Sequence, residues 1–231
     1  MACILHLETS ATNCSVALSV DQSVVFEKVS FEGASHAALL GVFVEEAIAF
    51  SGSEQYIPEA VAISGGPGSY TGLRIGTSMA KGLCMGWGIP LIAIPTLDIM
   101  AFKVIRQATS HDSLFCAMLD ARRMEVYAAI YNADFAVVRE TTADIVTPDT
   151  YTTFLEDRKM VFFGSGSDKC KDVITSENAV FIDDIQLLAA DMVLLAEKAF
   201  QNKQFENVAY YEPFYLKDFM ATTPKNKVLG K

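Results

Sequence analysis

Two acidic residues stand where a metal ion and phosphate chemistry would need them. Glu8, with Ser10 two residues on, ends an apolar run near the start of the chain, and Asp120 ends a similar run in its second half. Carboxylates and hydroxyls at strand ends could hold Mg²⁺ and the phosphates of a nucleotide. The same carboxylates could instead pair with nearby hydroxyls or with Arg122 or Arg123. Both interpretations remain open from the sequence.

A glycine-rich stretch, SGGPGSYTGLRIG at residues 64–76, follows the apolar run AVAI. Glycine loops between a strand and a helix often bind phosphate through backbone N–H groups. This loop lacks the Gly-Lys-Ser/Thr ending of a P-loop, because Leu73 and Arg74 follow Gly72. Thr71 stands at the third glycine position of a dinucleotide fingerprint. A generic anion site and a tight strand-to-helix turn both remain open.

Small residues recur at helical spacing directly after this loop. Gly72, Gly76 and Ala80 are four residues apart, and Cys84 continues the row. Glycine inside a helix costs about 0.8–1 kcal/mol relative to alanine, so such a stripe indicates that another backbone approaches closely. That backbone could belong to the same domain or to a second polypeptide.

Few residues in the sequence could carry catalysis. The three histidines, His6, His36 and His111, form no His-x-x-x-His pair. A metalloprotease site uses two histidines one helical turn apart, so the sequence argues against a metal-dependent protease. The five cysteines are scattered with no Cys-x-x-Cys pair, which predicts buried, reduced thiols. We therefore expect no catalytic residue and no resident metal.

The composition predicts a compact acidic protein. The chain of 231 residues is 51% hydrophobic and has a formal net charge of −10. Such a charge repels the phosphates of nucleic acid at long range, so another polypeptide should hold most of any RNA substrate. No signal peptide is evident, and no apolar run reaches the roughly 18 residues that a membrane span needs. We expect a cytoplasmic protein.

Short apolar runs alternate with helical patterns, which predicts an α/β fold. The first half has predicted strands at 3–7, 15–20, 24–29, 61–64 and 91–94 and helices at 36–50 and 71–85. The second half has predicted strands at 114–119, 125–131, 135–140, 160–163 and 179–182 and helices at 148–156 and 187–202. Two βββαβα units in tandem predict two ribonuclease-H-like lobes of the actin-like ATPase fold. The expected lobes are residues 1–105 and 106–231, with the tail packing back on the N-terminal lobe.

Three stretches of the sequence together resemble one protein family. They are ILHLETSATNCSVAL, ISGGPGSYTGLRIGTSMAKGL and LDARRMEVYAAIY, and they are similar to the TsaB (YeaZ) family. The resemblance covers essentially the whole chain and is most specific across residues 63–93. It implies a role in the synthesis of threonylcarbamoyladenosine in tRNA, alongside the paralogous TsaD family.

The resemblance implies a partner protein and not an enzyme. TsaD binds its metal through two histidines on one helix face, and the matching positions here are Thr96 and Met100. The implied role is a non-catalytic scaffold and activator of TsaD, in a complex that a TsaE ATPase joins and that holds the tRNA. A homodimer is expected in their absence.

An alternative remains within the same fold: a stand-alone ATPase or small-molecule kinase that uses Glu8 and Asp120. The family resemblance requires no cofactor. It allows only weak or interface-dependent binding of ATP or ADP with magnesium, for which the candidate residues are Glu8, Ser10 and Asp120.

The resemblance also places the partner surface on the two helices predicted in the N-terminal lobe. Apolar side chains of the first helix would supply anchors, and the small-residue stripe of the second would supply a groove for close approach. The predicted surface residues are His36, Leu39, Leu40, Phe43, Gly72, Leu73, Gly76, Thr77 and Ala80.

Overall fold

The computed structural model describes residues 2–32, 36–110 and 112–216, and two five-stranded sheets form its frame. The strands of the first sheet are β1 (Cys3–Glu8), β2 (Cys14–Val20), β3 (Ser23–Ser30), β4 (Ala60–Ser64) and β5 (Leu91–Ile94). Their order is β3-β2-β1-β4-β5. β1 pairs antiparallel with β2 and parallel with β4, so a meander is extended by two parallel strands.

The second sheet repeats this topology. Its strands are β6 (Leu114–Asp120), β7 (Glu125–Tyr131), β8 (Val137–Ile145), β9 (Met160–Phe163) and β10 (Ala179–Ile182). Their order is β10-β9-β6-β7-β8, with β6 antiparallel to β7 and parallel to β9. The predicted tandem repeat and the actin-like fold are confirmed, and Glu8 and Asp120 end the corresponding first strands.

Helices cover the sheets in layers. They are α1 (His36–Ser53), α2 (Tyr70–Trp87), α3 (Thr96–Ile105), α4 (Thr152–Leu155) and α5 (Val193–Gln201). α1 and α2 pack on the outer face of the first sheet, and α4 packs on the outer face of the second. α3 and α5 lie between the two sheets, where Ile4 of one sheet and Phe115 of the other belong to the same core. Both halves of the chain contribute to this core, so the core does not mark a boundary between residues 105 and 106. The predicted division there stays a prediction.

Helix α3 was not predicted, although it occupies the centre of the molecule. Most of its residues are buried, because sheets and helices surround it. A helix that is apolar on nearly every face has no 3.6-residue period to mark it. Other differences are shifts of bounds: the predicted helix at 148–156 is one turn, and the helix predicted from 187 begins as the 3₁₀ turn Ala189–Met192.

The last described segment, residues 202–216, returns to the first sheet. Leu91 of β5 forms a bridge with Glu206. The N–H of Phe214 donates to the carbonyl of Gly65 at 2.8 Å, directly over the glycine-rich loop. The prediction of a packed tail also covered residues 217–231, which lie outside the described residues. His111 lies outside them as well.

Two predictions about composition can be compared with this fold. All five cysteines are unpaired and buried, as predicted. Within residues 2–32, 36–110 and 112–216, none of the helices combines the length and apolar character that crossing a membrane requires.

Candidate functional site

Glu8 is completely buried at the end of β1. Its Oε1 accepts hydrogen bonds from the N–H and the hydroxyl of Ser10, both at 2.6 Å, and from the hydroxyl of Ser64 at 3.0 Å. Oε2 is buried with no hydrogen-bond partner among the described residues. Burial raises the pKa of this carboxyl to about 7, although the serine hydrogen bonds act in the opposite direction. Glu8 is thus tied to hydroxyls, which is one of the two interpretations that the sequence left open.

Asp120 ends β6 in a different environment, since about half of its side chain is exposed. It forms an ion pair with the ammonium of Lys169, and its Oδ1 accepts the N–H of Arg122 at 2.9 Å. The predicted pairing with an arginine side chain is therefore wrong. The sequence carried no signal for Lys169, because that residue reaches Asp120 from the segment after β9.

The two strand-end acids, Glu8 and Asp120, each bond to a different set of groups within the chain. In the described parts of the chain, no group of three or more His, Cys, Asp or Glu side chains is placed to hold a metal ion. Within the chain, Glu8 accepts hydrogen bonds from Ser10 and Ser64, and Asp120 pairs with the Lys169 ammonium. Nucleotide binding at Glu8, Ser10 and Asp120 stays a prediction.

Three backbone N–H groups of the glycine-rich loop between β4 and α2 are bonded within the chain. The N–H of Gly65 donates to a carbonyl of β5 at 2.7 Å, and that of Gly66 donates to a hydroxyl of α3 at 3.1 Å. The N–H of Ser69 donates to a carbonyl of the β1–β2 loop at 2.7 Å. A phosphate cradle needs such donors to point at the anion. These three donors therefore support a tight turn that is fastened to β5, α3 and the β1–β2 loop.

The small-residue stripe of α2 packs against Thr9 of the β1–β2 loop. The Thr9 hydroxyl donates to the carbonyl of Gly72 at 2.8 Å. A β-carbon on Gly72 would overlap the carbonyl oxygen of Thr9, and one on Gly76 would overlap the Thr9 hydroxyl. The backbone that approaches this stripe therefore belongs to the same chain.

The predicted partner surface needs correction for this reason. Most of its residues are buried inside the chain, namely Leu40, Gly72, Leu73, Gly76, Thr77 and Ala80. His36, Leu39 and Phe43 are half-buried, and the His36 ring lies 3.0 Å from the carbonyl oxygen of Asn13. Buried residues cannot present an exposed surface to a partner.

A groove on the outer side of α1 and α2 is exposed instead. It is a shallow, open depression of about 600 Å³, and its lining residues are Ala37, Arg74, Ile75, Ser78, Met79, Gly82 and Leu83. The sequence named the two helices that line this groove, but most of the residues it named face inward. Binding of a partner by α1 and α2 stays a prediction. α1 is apolar around most of its circumference, so periodicity could not identify its outward side.

Thr96 and Met100 lie one turn apart on α3, and both are buried. The Thr96 hydroxyl accepts the N–H of Gly66 at 3.1 Å, so it supports the glycine-rich loop. Met100 packs against Gly164, whose own backbone lies against β6. Both side chains therefore have packing roles in the described structure.

Known proteins resemble the chain over most of its length. A family model described as "TsaD: tRNA N6-adenosine threonylcarbamoyltransferase" matches residues 31–225. The Escherichia coli (strain K12) protein "tRNA threonylcarbamoyladenosine biosynthesis protein TsaB" is 32% identical over 226 residues, which cover 94% of this chain and 96% of that protein. The Bacillus subtilis (strain 168) protein of the same name is 26% identical over 74% of each chain. The structure of YeaZ from Pseudomonas aeruginosa has a TM-score of 0.77 at 23% identity, over 94% of this chain and 100% of that chain, and it shares the fold.

Proposed function

Because the chain belongs to the TsaB (YeaZ) family, we propose that it serves the biosynthesis of threonylcarbamoyladenosine in tRNA as a non-catalytic partner of a TsaD-type transferase. In this proposal the transferase places the threonylcarbamoyl group on N6 of the adenosine beside the anticodon. The present chain scaffolds and activates that enzyme in the cytoplasm. A TsaE-type ATPase joins the assembly.

The buried pair Thr96 and Met100 carries the non-catalytic part of the proposal. A metal-dependent transferase needs ligands that face a site, and a histidine pair at these positions would supply them. Here one side chain bonds a backbone N–H and the other fills the core between the sheets. The Thr96 hydroxyl and the Met100 thioether are therefore not placed to bind a hard or borderline metal.

The outer groove of α1 and α2 is the surface that we assign to the partner. It is mainly apolar, and exposed apolar side chains stand on the same helices, with Val42 46% and Met85 71% exposed. Exposed apolar patches of this kind mark protein interfaces. Arg74 lies at the groove, and arginine is enriched at interface hot spots. When no transferase is present, a second copy of the chain would cover the groove as a homodimer.

Co-expression with TsaD- and TsaE-type homologues tests this function. tRNA isolated from, or incubated with, the complete assembly should carry the modification, and omission of this chain should abolish it. The isolated chain should show no transferase activity. Equal modification with and without the chain would refute the proposal.

The alternative of a stand-alone ATPase or kinase finds little support in the site. Glu8 is buried against serines, and Asp120 is paired with Lys169. Calorimetry with ATP and magnesium on the isolated chain separates the two functions. Tight binding and turnover of ATP would indicate an enzyme and would contradict the partner role. Negligible turnover of ATP would agree with the partner role.

A further inference from the structure

The turn between β6 and β7, residues 121–124, carries two consecutive arginines in an unusual backbone conformation. Arg122 has φ +69° and Arg123 has φ +51°, and both side chains are exposed. L-residues with a β-carbon rarely adopt positive φ, whereas glycine and asparagine do so readily. The β2–β3 turn has positive φ at Asp21 and Gln22, so this conformation is a property of tight hairpin turns in this chain. What distinguishes the β6–β7 turn is that both of these positions carry exposed arginines.

The rest of the turn forms a rigid support for these arginines. Lys169 pairs with Asp120 and also donates to the carbonyl of Glu125 at 2.6 Å, so one ammonium joins both sides of the turn. Asp120 in turn holds the N–H of Arg122. The N–H of Asp120 donates to the Ser165 hydroxyl at 3.2 Å, which attaches the turn to the loop after β9. Asp120 is neutralised by Lys169, so the two guanidinium groups are the charges within residues 121–124, and the Glu125 carboxylate follows at the start of β7.

The guanidinium groups of Arg122 and Arg123 are available to an external ligand. Neither makes an ion pair or a side-chain hydrogen bond within residues 2–32, 36–110 and 112–216. Guanidinium is planar and matches phosphate through paired N–H donors.

We propose that the arginine turn contacts phosphate groups of the tRNA backbone when the chain works in its complex. This inference rests on the proposed function. Both side chains project from a turn and are exposed, which suits an extended polyanion; a mononucleotide is normally enclosed in a cleft. The acidic remainder of the chain keeps the contact local, so the turn would position RNA that another subunit holds more tightly.

Two double variants test the proposal. Arg122→Asn with Arg123→Gly removes both charges and also suits positive φ, so its melting temperature should be unchanged or rise by about 2 °C or more. Arg122→Gln with Arg123→Gln removes the charges while keeping a β-carbon and long stem. The matched control is Arg158→Gln with Lys159→Gln, which removes two charges from another exposed turn.

Binding of unmodified tRNA is measured over a salt series, with the chain alone and with the assembled complex. Both arginine variants should weaken binding about tenfold at low salt, and the slope of log affinity against log salt should fall by about 1–2. The control should behave as the wild type. Unchanged tRNA affinity in either arginine variant would overturn the inference.

Two further outcomes would also overturn it. Loss of assembly with normal folding would assign the arginines to an acidic protein face. Displacement of tRNA from the chain by ATP with magnesium would assign them to a mononucleotide. A separate measurement tests the proposed function. If tRNA modification is unaltered when the wild-type chain is omitted, the proposed function fails. In that case the salt series on the chain alone is read instead, and no measurable binding of tRNA by the wild-type chain at low salt would also overturn the inference.

Discussion

The carbonyl oxygen of Thr9 occupies the place where a side chain on Gly72 would begin, and the Thr9 hydroxyl donates to the Gly72 carbonyl at 2.8 Å. This contact fixes α2 against the end of β1. The same loop continues to Ser10, whose carbonyl lies 2.5 Å from the position of a β-carbon on Gly68. The glycines after β4 are therefore required by packing within the lobe.

Gly72→Ala should destabilise the protein by about 2 kcal/mol, because the added methyl group must displace the backbone of Thr9. Urea unfolding followed by circular dichroism measures this loss. Gly82→Ala is the matched control, since a β-carbon there meets nothing within 4 Å. The control should gain about 0.5–1 kcal/mol from helix propensity. Equal effects of the two substitutions would show that Gly72 is not held against Thr9.

Gly82→Arg should leave the chain folded and abolish its co-purification with a TsaD-type partner, because the new side chain enters the outer groove of α1 and α2. Gly86→Arg, one turn later on the same helix, also meets open space but is not among the residues that line the groove. It should bind the partner normally.

Gly76→Arg gives a third result in the same series. It should fold poorly, since Thr9 fills the space beside Gly76. Pull-down and melting curves on the three variants separate loss of the interface from loss of the fold. Normal partner binding by folded Gly82→Arg would rule out the groove.

Glu8 should make the protein less stable as pH rises from about 4.5 to 7. Its pKa in the folded state, about 7, is higher than its ordinary value of 4.5, so the folded state binds the proton more tightly. The favourable contribution is complete below pH 4.5 and is lost as pH rises through 7. Its full size is about 3 kcal/mol.

Glu8→Gln isolates this contribution, because it removes the titrating group. Burial lowers the pKa of His6 to about 3, so His6 gives the opposite slope, with stability rising up to about pH 6.5. The difference between wild type and Glu8→Gln in urea unfolding at several pH values cancels the His6 effect. A difference that does not change between pH 4.5 and 7 would refute the assignment to Glu8.

Lys81→Met should loosen residues 207–215. The Lys81 ammonium donates to the carbonyls of Ala209 and Tyr211, at 3.2 and 3.1 Å, and so attaches this segment to α2. Its loss should cost about 1 kcal/mol and speed hydrogen exchange of the Phe214 N–H, which bonds Gly65. Lys198→Met, at an exposed position of α5, is the control. Unchanged exchange at Phe214 would show that Lys81 does not hold the segment.

The succession of most strands along the chain, the tandem repeat and the family could be predicted from the sequence. These follow from local pattern: alternating apolar runs, a glycine-rich turn, and the absence of a His-x-x-x-His pair after β5. The correspondence of Glu8 with Asp120 could also be predicted, because both end the first strand of a repeated unit.

Which group each site residue contacts could be read only from the folded chain. Thr9 and Gly72 are separated by 63 positions, so nothing in the spacing of the glycines showed that the chain itself fills their groove. Lys169 and Asp120, which form an ion pair, are also far apart in the sequence. Helix α3 is apolar on nearly every side, so its sequence shows no 3.6-residue hydrophobic period. Packing joins segments that are distant in the sequence, and local patterns contain no information about which of them will meet.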